Sequence, residues 1–140
     1  MPNDELNHFM QEYPTRIISD GSPSPTLMEQ LRFAALLMKE LPSMPVGPAL
    51  VYRLEQQLPQ SATIGGGLVV GRNEKADLAV HVPEMSSRHF EVSGEGTLSD
   101  LGSSNGTYVN QSRVEGTQPL TSGDVIEAGG QLFLFVDLEG

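Results

Sequence analysis

The chain has 140 residues, and its 8 Lys and Arg against 18 Asp and Glu give a formal net charge of -10. That length suits one modest domain with a tail. The acidic excess argues against a protein that wraps DNA or lies on an anionic membrane, because both need a surplus of basic residues. Without cysteine there is no disulfide, thiolate nucleophile or Cys-ligated metal, and three histidines do not by themselves make a metal centre. We therefore expect neither a metal nor a cofactor.

Residues 1–25 are predicted to form a flexible arm. They are polar, contain a Ser-Pro-Ser-Pro run at 22–25 and show no sustained apolar period. The first residues include Asp4, Glu5 and His8, where a signal peptide would need a basic start followed by an apolar stretch. We expect a cytoplasmic protein that is not exported by that route.

A helix is predicted over 26–41. Thr26 stands at the N-cap position with Glu29 three residues later, and Pro42 ends the helical pattern. The segment 42–48 then has three prolines and is predicted to be a stiff linker. The helix has three open roles: packing on its own β domain, self-association, or binding a partner. Its predicted apolar face consists of Leu27, Leu31, Ala34, Met38 and Leu41.

From residue 49 onward, short apolar runs alternate with glycine-containing turns, which is typical of an all-β sandwich or barrel. Residues 132–136 are apolar at every position, which predicts a central strand covered on both faces. About ninety residues are enough to bury one core. The predicted strands are 50–57, 68–71, 78–80, 89–93, 97–100, 107–109, 125–127 and 132–136.

Few residues could support catalysis. Ser86, Ser87 and His89 lie close together in the sequence, but a hydrolase serine normally takes its base from a distant segment, and no G-x-S-x-G motif is present. The glycine run at 65–67 lacks the G-K-[ST] ending of a phosphate loop and leads into a strand pattern. We therefore predict that the protein is not an enzyme.

Residue types that bind anions occur at three predicted turns between strands. Gly71 and Arg72 close one strand, residues 86–89 open another, and residues 103–107 form a third turn. Arginine offers a planar array of donors to phosphate, serine adds hydrogen bonds, and asparagine can hold a peptide backbone. Each turn alone is a weak signal, because serine and Asn-Gly are common in turns for structural reasons.

In this order and at this spacing, the turns resemble the forkhead-associated (FHA) domain, a module that binds phosphothreonine peptides. The resemblance covers 49–138, nearly two thirds of the chain, and implies an eleven-stranded β-sandwich. Its four motifs are Gly71-Arg72, Ser86-x-x-His89, Asp100-Leu101-Gly102-Ser103-Ser104-Asn105-Gly106-Thr107-Tyr108-Val109-Asn110, and Leu120-x-x-Gly123-Asp124-x-Ile126-x-x-Gly129.

The resemblance also implies which residues bind the phosphopeptide. Arg72 and Ser86 correspond to the residues that contact the phosphate. Asn105 corresponds to the one that grips the ligand backbone, with Ser104 lining the phosphothreonine end of the site. Ser87 stands where the family often has a basic residue or asparagine, so its hydroxyl would add a hydrogen bond without charge.

Two further cations, Lys75 and Arg113, could compensate for that missing charge if the fold places them near the site. His89 matches a histidine that braces the recognition loops, and Arg88 matches a common arginine for which support, solvent exposure and ligand contact all stay open. The predicted supporting residues are Gly71, Arg88, His89, Gly106, Thr107 and Asn110.

The function implied by the resemblance is non-catalytic recruitment of a threonine-phosphorylated protein, as an adaptor or regulator in Ser/Thr kinase signalling. Expected partners are a Ser/Thr kinase or its substrate, and neither nucleic acid nor membrane. One alternative is a structural interaction module with a vestigial phosphate site, in which the helix pairs with a partner or a second copy. Another is autoinhibition by the arm, through phosphorylated Thr15 or Thr26.

Overall fold

The computed structural model describes residues 27–54 and 57–138, which form a sandwich of two β-sheets with one helix. The all-β class and the eleven strands implied by the family resemblance are confirmed. The predicted arm at 1–25 and the N-cap at Thr26 lie outside the described residues. No helix in the described ranges has the length and apolar character needed to cross a membrane. The elements are α1 (Leu27–Glu40), β1 (Gly47–Tyr52), β2 (Gln60–Thr63), β3 (Gly67–Gly71), β4 (Leu78–Ala79), β5 (Phe90–Ser93), β6 (Thr97–Asp100), β7 (Thr107–Val109), β8 (Ser112–Arg113), β9 (Thr117–Pro119), β10 (Val125–Ala128) and β11 (Gln131–Leu138).

The two sheets enclose one apolar core. The six-stranded sheet has the order β2-β1-β11-β10-β7-β8, and the five-stranded sheet has the order β4-β3-β5-β6-β9. Leu50 and Phe133 of the first sheet meet Val70 and Phe90 of the second inside this core. The rings of Phe90 and Phe133 meet edge to face with centroids 5.5 Å apart. This packing gives the loops at the ends of the sandwich a rigid support.

Helix α1 packs on the outer face of the six-stranded sheet. Phe33 and Leu37 are at most 1% exposed. They share an apolar cluster with Ala34, Leu36, Ala49, Val51, Val125, Leu132, Leu134 and Val136. Since Phe133 and Phe135 point into the sandwich while their neighbours point to the helix, the prediction that this strand is covered on both faces is confirmed. Of the three roles left open for the helix, the structure has it packed on its own domain.

The predicted apolar face of the helix was partly wrong. Leu31 is 47% exposed, whereas Gln30 is fully buried. The buried series runs through residues 30, 33, 34 and 37, which also follows helical spacing. Because α1 has apolar residues around most of its circumference, periodicity alone cannot choose the face. Burial of Phe33 and Leu37 removes more apolar surface from water than burial of Leu31, and this orients the helix.

Strands β2, β8 and β9 were not predicted from the sequence. Their side chains are almost all exposed, so their sequences lack the alternation of apolar and polar residues that indicates a strand. They form because their backbones pair with β1, β7 and β6.

Strand β1 also differs from its prediction at 50–57. It begins at Gly47, inside the expected linker at 42–48, because Gly47 and Pro48 pair with Leu138 and Asp137 of β11. It ends at Tyr52, and the N–H of Gln57 donates to the carbonyl of Leu54 at 3.1 Å.

Candidate functional site

Three loops meet at one end of the sandwich. The N–H of Arg72 donates to the carbonyl of Ser86 at 2.8 Å, and the N–H of Asn73 donates to the carbonyl of Ser87 at 3.2 Å. The N–H of Ser104 donates to the Oγ of Ser86 at 3.0 Å. Ser86 is therefore the point at which all three loops are joined. The loops are β3–β4 (72–77), β4–β5 (80–89) and β6–β7 (101–106).

His89 is completely buried and joins the β4–β5 loop to the β6–β7 loop. Its Nδ1 accepts the N–H of Ser86 at 3.1 Å, so Nε2 carries the proton and donates to the carbonyl of Gly106 at 2.8 Å. Burial lowers the pKa of His89, against the raising effects of the Gly106 hydrogen bond and the Asp100 charge. Both ring nitrogens are engaged with backbone groups. The imidazole is therefore not placed to activate a serine, and it holds the loops together.

Asp100 organises the β6–β7 loop, a role that the sequence analysis did not assign. Its Oδ1 accepts hydrogen bonds from the hydroxyls of Ser103 and Thr107 at 2.6 and 2.7 Å, and its Oδ2 accepts the N–H groups of Gly102 and Ser103. Burial raises the pKa of Asp100, but the hydrogen bonds to its carboxylate have a larger and opposite effect, so its pKa lies below the ordinary value. An Asp followed by Ser and Gly in a turn was the available signal, since such turns are stabilised by side-chain bonds to the backbone. The ionised carboxylate fixes the shape of the loop tip.

Polar groups remain available to a ligand at the loop end. Ser86 Oγ accepts the Ser104 N–H but keeps its own hydroxyl proton. The Nδ2 of Asn105 donates to the carbonyl of Glu84 at 3.0 Å, which leaves a second N–H and Oδ1. Within the described ranges, the side chains of Arg72 and Ser104 have no hydrogen-bond or ion-pair partner, and both residues are exposed. One end of the sandwich thus offers a guanidinium, two hydroxyls and a carboxamide.

The Lys and Arg side chains of residues 62–140 lie at or beside this end. Residues 62–140 contain four Lys and Arg against eleven Asp and Glu. Arg72, Lys75 and Arg88 lie in the loops themselves. Arg113 lies against the third loop, because a Cβ added to Gly106 would be 3.1 Å from its Nε. All four cations therefore surround the loops of an otherwise acidic body, which creates a local positive region.

The remaining predicted site residues differ in burial and in their distance from the three loops. Ser87 is exposed and Thr107 is completely buried against Asp100. Asn110 lies beyond β7, away from the three loops, and its carboxamide bonds Asp124 and the N–H of Val125 at 3.0 Å each. It joins β7 to β10.

Gly71 is at the closest approach between β3 and the β4–β5 loop. A Cβ added there would overlap the carbonyl of Ser87 and lie 2.9 Å from the Cα of Arg88. We expect Gly71→Ala to lower the free energy of unfolding by about 1–3 kcal/mol in urea denaturation, because the loop must move away. Gly66→Ala is the matched control, since a Cβ at Gly66 meets nothing within 4 Å. Equal stabilities of the two variants would contradict a tight contact at Gly71.

Comparisons with known proteins agree with this fold. The family model for the FHA domain matches residues 68–129. An FHA domain from a structural and functional analysis of phosphothreonine-dependent FHA interactions is 28% identical with a TM-score of 0.57, and the alignment covers 65% of this chain and 96% of that one. The FhaA FHA domain, complexed with the intracellular domain of Rv3910, is 28% identical with a TM-score of 0.56, covering 63% and 98%.

The FHA domain of an Arabidopsis thaliana hypothetical protein is 26% identical with a TM-score of 0.59, covering 70% of this chain and 95% of that one. No curated protein matches the sequence. The family match, the two-sheet fold and these structural neighbours agree: residues 68–129 match the forkhead-associated domain, and the β-sandwich of this chain has the fold of that family.

Proposed function

We propose that this protein is a phosphothreonine-dependent binding module that recruits a phosphorylated partner, as an adaptor or regulator in Ser/Thr kinase signalling. The observation that carries the proposal is that hydrogen bonds between the three loops, including those of His89 and of the Asn105 side chain, bring Arg72, Ser86 and Asn105 to one loop end. Similar FHA domains support it, since one comes from work on phosphothreonine-dependent interactions and another was solved with a protein domain bound. The proposed activity is binding, without catalysis.

Arg72 and Ser86 form the phosphate-binding part of the proposed site. A phosphothreonine carries a charge of about -1.5 to -2 at neutral pH and has three acceptor oxygens. The guanidinium of Arg72 supplies the charge and several donors, while Ser86 donates the hydroxyl proton that its bond from Ser104 leaves free. Because hydrogen bonds from two other loops already hold Ser86, little conformational freedom is lost when the phosphate binds.

Asn105 and Ser104 complete the proposed site beside the phosphate. The remaining N–H and Oδ1 of Asn105 match the carbonyl and N–H of an extended peptide. The free hydroxyl of Ser104 and the exposed hydroxyl of Ser87 add uncharged donors.

The direct test is titration of the whole protein with a degenerate phosphothreonine peptide library and with its unphosphorylated twin. We expect binding only to the phosphorylated library. Ser86→Ala should weaken it by about tenfold, because it removes a hydrogen bond to a charged group and the anchor of the third loop. Ser87→Ala should have a smaller effect. Equal binding of the two libraries would reject the proposal.

The alternative function is a structural interaction module in which helix α1 pairs with a partner or a second copy. Met28 and Leu31 on its outer side are 74% and 47% exposed. Pairing through the larger apolar face would instead require the helix to leave the sheet, since Phe33 and Leu37 are buried there. The solution mass of the whole chain, compared with that of Leu31→Glu, tests this alternative. Autoinhibition through Thr15 or Thr26 concerns residues outside the described ranges.

A further inference from the structure

We propose that a second anion-binding subsite lies beside the phosphate-binding loops. It would accept an anionic side chain, either a carboxylate or a second phosphate, from the peptide whose phosphothreonine occupies the loop end, and so it rests on the proposed function. The subsite is a cavity of about 290 Å³, close to the lower limit of ligand pockets and therefore suited to a single side chain. Its lining consists of Val69, Asn73, Lys75, Ala76, Asp77 and Arg88.

The cavity begins one residue beyond the proposed phosphate contacts. Asn73 follows Arg72 and Arg88 follows Ser87, and backbone hydrogen bonds tie these segments together. Val69 places the cavity on the outer face of the five-stranded sheet, because its neighbours in β3 point into the core. Consecutive residues of an extended peptide advance about 3.3 Å, so a side chain within about three or four positions of the phosphothreonine can reach it.

The charges of the lining favour an anion. Lys75 and Arg88 are exposed, and their side chains have no hydrogen-bond or ion-pair partner among residues 27–54 and 57–138. Asp77 is already engaged, since its Oδ2 accepts the N–H of Val69 at 2.8 Å. Two cations therefore face one carboxylate, so the lining carries one net positive charge, which a bound carboxylate would neutralise and a bound phosphate, at about -1.5 to -2, would exceed. The apolar surface of Val69 and Ala76 suits the methylene or methyl groups of the same side chain.

Because the rest of the domain is acidic, an anionic side chain should improve peptide binding only at the positions that reach the cavity. Glu91 pairs with Val69 across the sheet but does not line the cavity. Residues 62–140 carry eleven acidic against four basic side chains, so an anion placed elsewhere on the peptide meets repulsion. A gain at one position is therefore distinguishable from a general preference for acidic peptides.

The test uses the whole protein and a set of peptides with one fixed phosphothreonine. Glutamate or phosphoserine is introduced singly at each of about four positions on either side, which covers the reach of an extended chain. We expect one or two adjacent positions at which glutamate lowers Kd by about fivefold and phosphoserine by about tenfold. Comparison of the two residues tells whether the carboxylate or the phosphate is the better ligand. Absence of any such position would overturn the subsite.

Variants then locate the gain, defined as Kd for the peptide with phosphothreonine alone divided by Kd for the doubly anionic peptide. General weakening cancels in this ratio. We expect Arg88→Ala and Lys75→Ala to bring it close to one and Arg88→Lys to keep part of it, with melting temperatures as the check on folding. Arg113→Ala is the matched control, because it removes the same charge from a residue that lies against Gly106 and does not line the cavity.

A gain that survives Arg88→Ala and Lys75→Ala, or one that only Arg113→Ala abolishes, would overturn the subsite. The proposed function would then still stand, because its own readout is the dependence of binding on the phosphothreonine and on Arg72. Loss of phosphate dependence in the unaltered protein would reject both proposals.

Discussion

Replacing Arg72 with alanine is expected to weaken phosphothreonine-peptide binding by about ten- to a hundred-fold or more. Hydrogen bonds to charged groups contribute about 1.5–3 kcal/mol each, and about 1.4 kcal/mol corresponds to a tenfold change in Kd. The backbone N–H of residue 72 still bonds the Ser86 carbonyl in the variant, so the loops keep their junction. The exposed guanidinium is what the substitution removes.

Fluorescence anisotropy with a labelled phosphothreonine peptide and its unphosphorylated twin measures this effect. Arg32→Ala is the matched control, because Arg32 is also exposed but lies on α1, which packs on the outer face of the six-stranded sheet. It removes the same charge and should leave Kd within about twofold at physiological salt, where the Debye length is about 8 Å. Unchanged binding in Arg72→Ala would favour the alternative of a vestigial phosphate site.

Replacing Glu127 with glutamine is expected to stabilise the protein by about 2–4 kcal/mol at pH 8. Glu127 is 3% exposed on β10, beneath α1, and its Oε1 accepts a long hydrogen bond of 3.4 Å from Nε2 of Gln30. Burial raises the pKa of Glu127 from 4.5 to about 7, because the carboxylate is removed from water. Glutamine keeps the shape and the hydrogen-bonding capacity but cannot ionise.

The pH dependence follows from the direction of this shift. Between pH 4.5 and 7 the folded state holds a proton that the unfolded state has lost, so the free energy of unfolding falls as the pH rises through this window. Each unit of pKa difference corresponds to about 1.36 kcal/mol. The advantage of Glu127→Gln should therefore be small near pH 4 and reach its full size above pH 7.

Urea denaturation of both proteins across this pH range measures the difference. Burial lowers the pKa of His89, so its contribution runs the other way and stability falls as the pH drops below about 6.5. His89 is present in both proteins, and its effect cancels in the difference. Glu115→Gln at an exposed site is the control, with an expected change within about 0.5 kcal/mol. A difference between native and Glu127→Gln that does not vary with pH would contradict a buried, proton-linked carboxylate.

Much of the fold can be read from the sequence where apolar side chains follow the period of a strand. The last strand is an example, because apolar residues at 132–136 require cover on both faces whatever lies there. The motif spacing likewise indicated the FHA family and the residues of the three loops. The strand prediction depends on residues within one strand, and the family resemblance depends on the order and spacing of motifs along the sequence, so neither needs a contact between distant residues.

Other features depend on contacts between residues distant in sequence, and only the tertiary structure decided them. The face that α1 buries depends on the sheet it meets, so Gln30 lies above Glu127 and Leu31 stays exposed. The edge strands β2, β8 and β9 exist because a neighbouring backbone pairs with them, for which their exposed side chains give no signal.

The same distinction applies to the site. The sequence by itself determined a net charge of -10 and the presence of four cations in residues 62–140. It could not place Arg113 against Gly106 or join Lys75 and Arg88 in one cavity, because these residues are separated by seven and thirteen positions in the chain. The fold brings them to one end of the sandwich, since that is where the loops of paired strands converge.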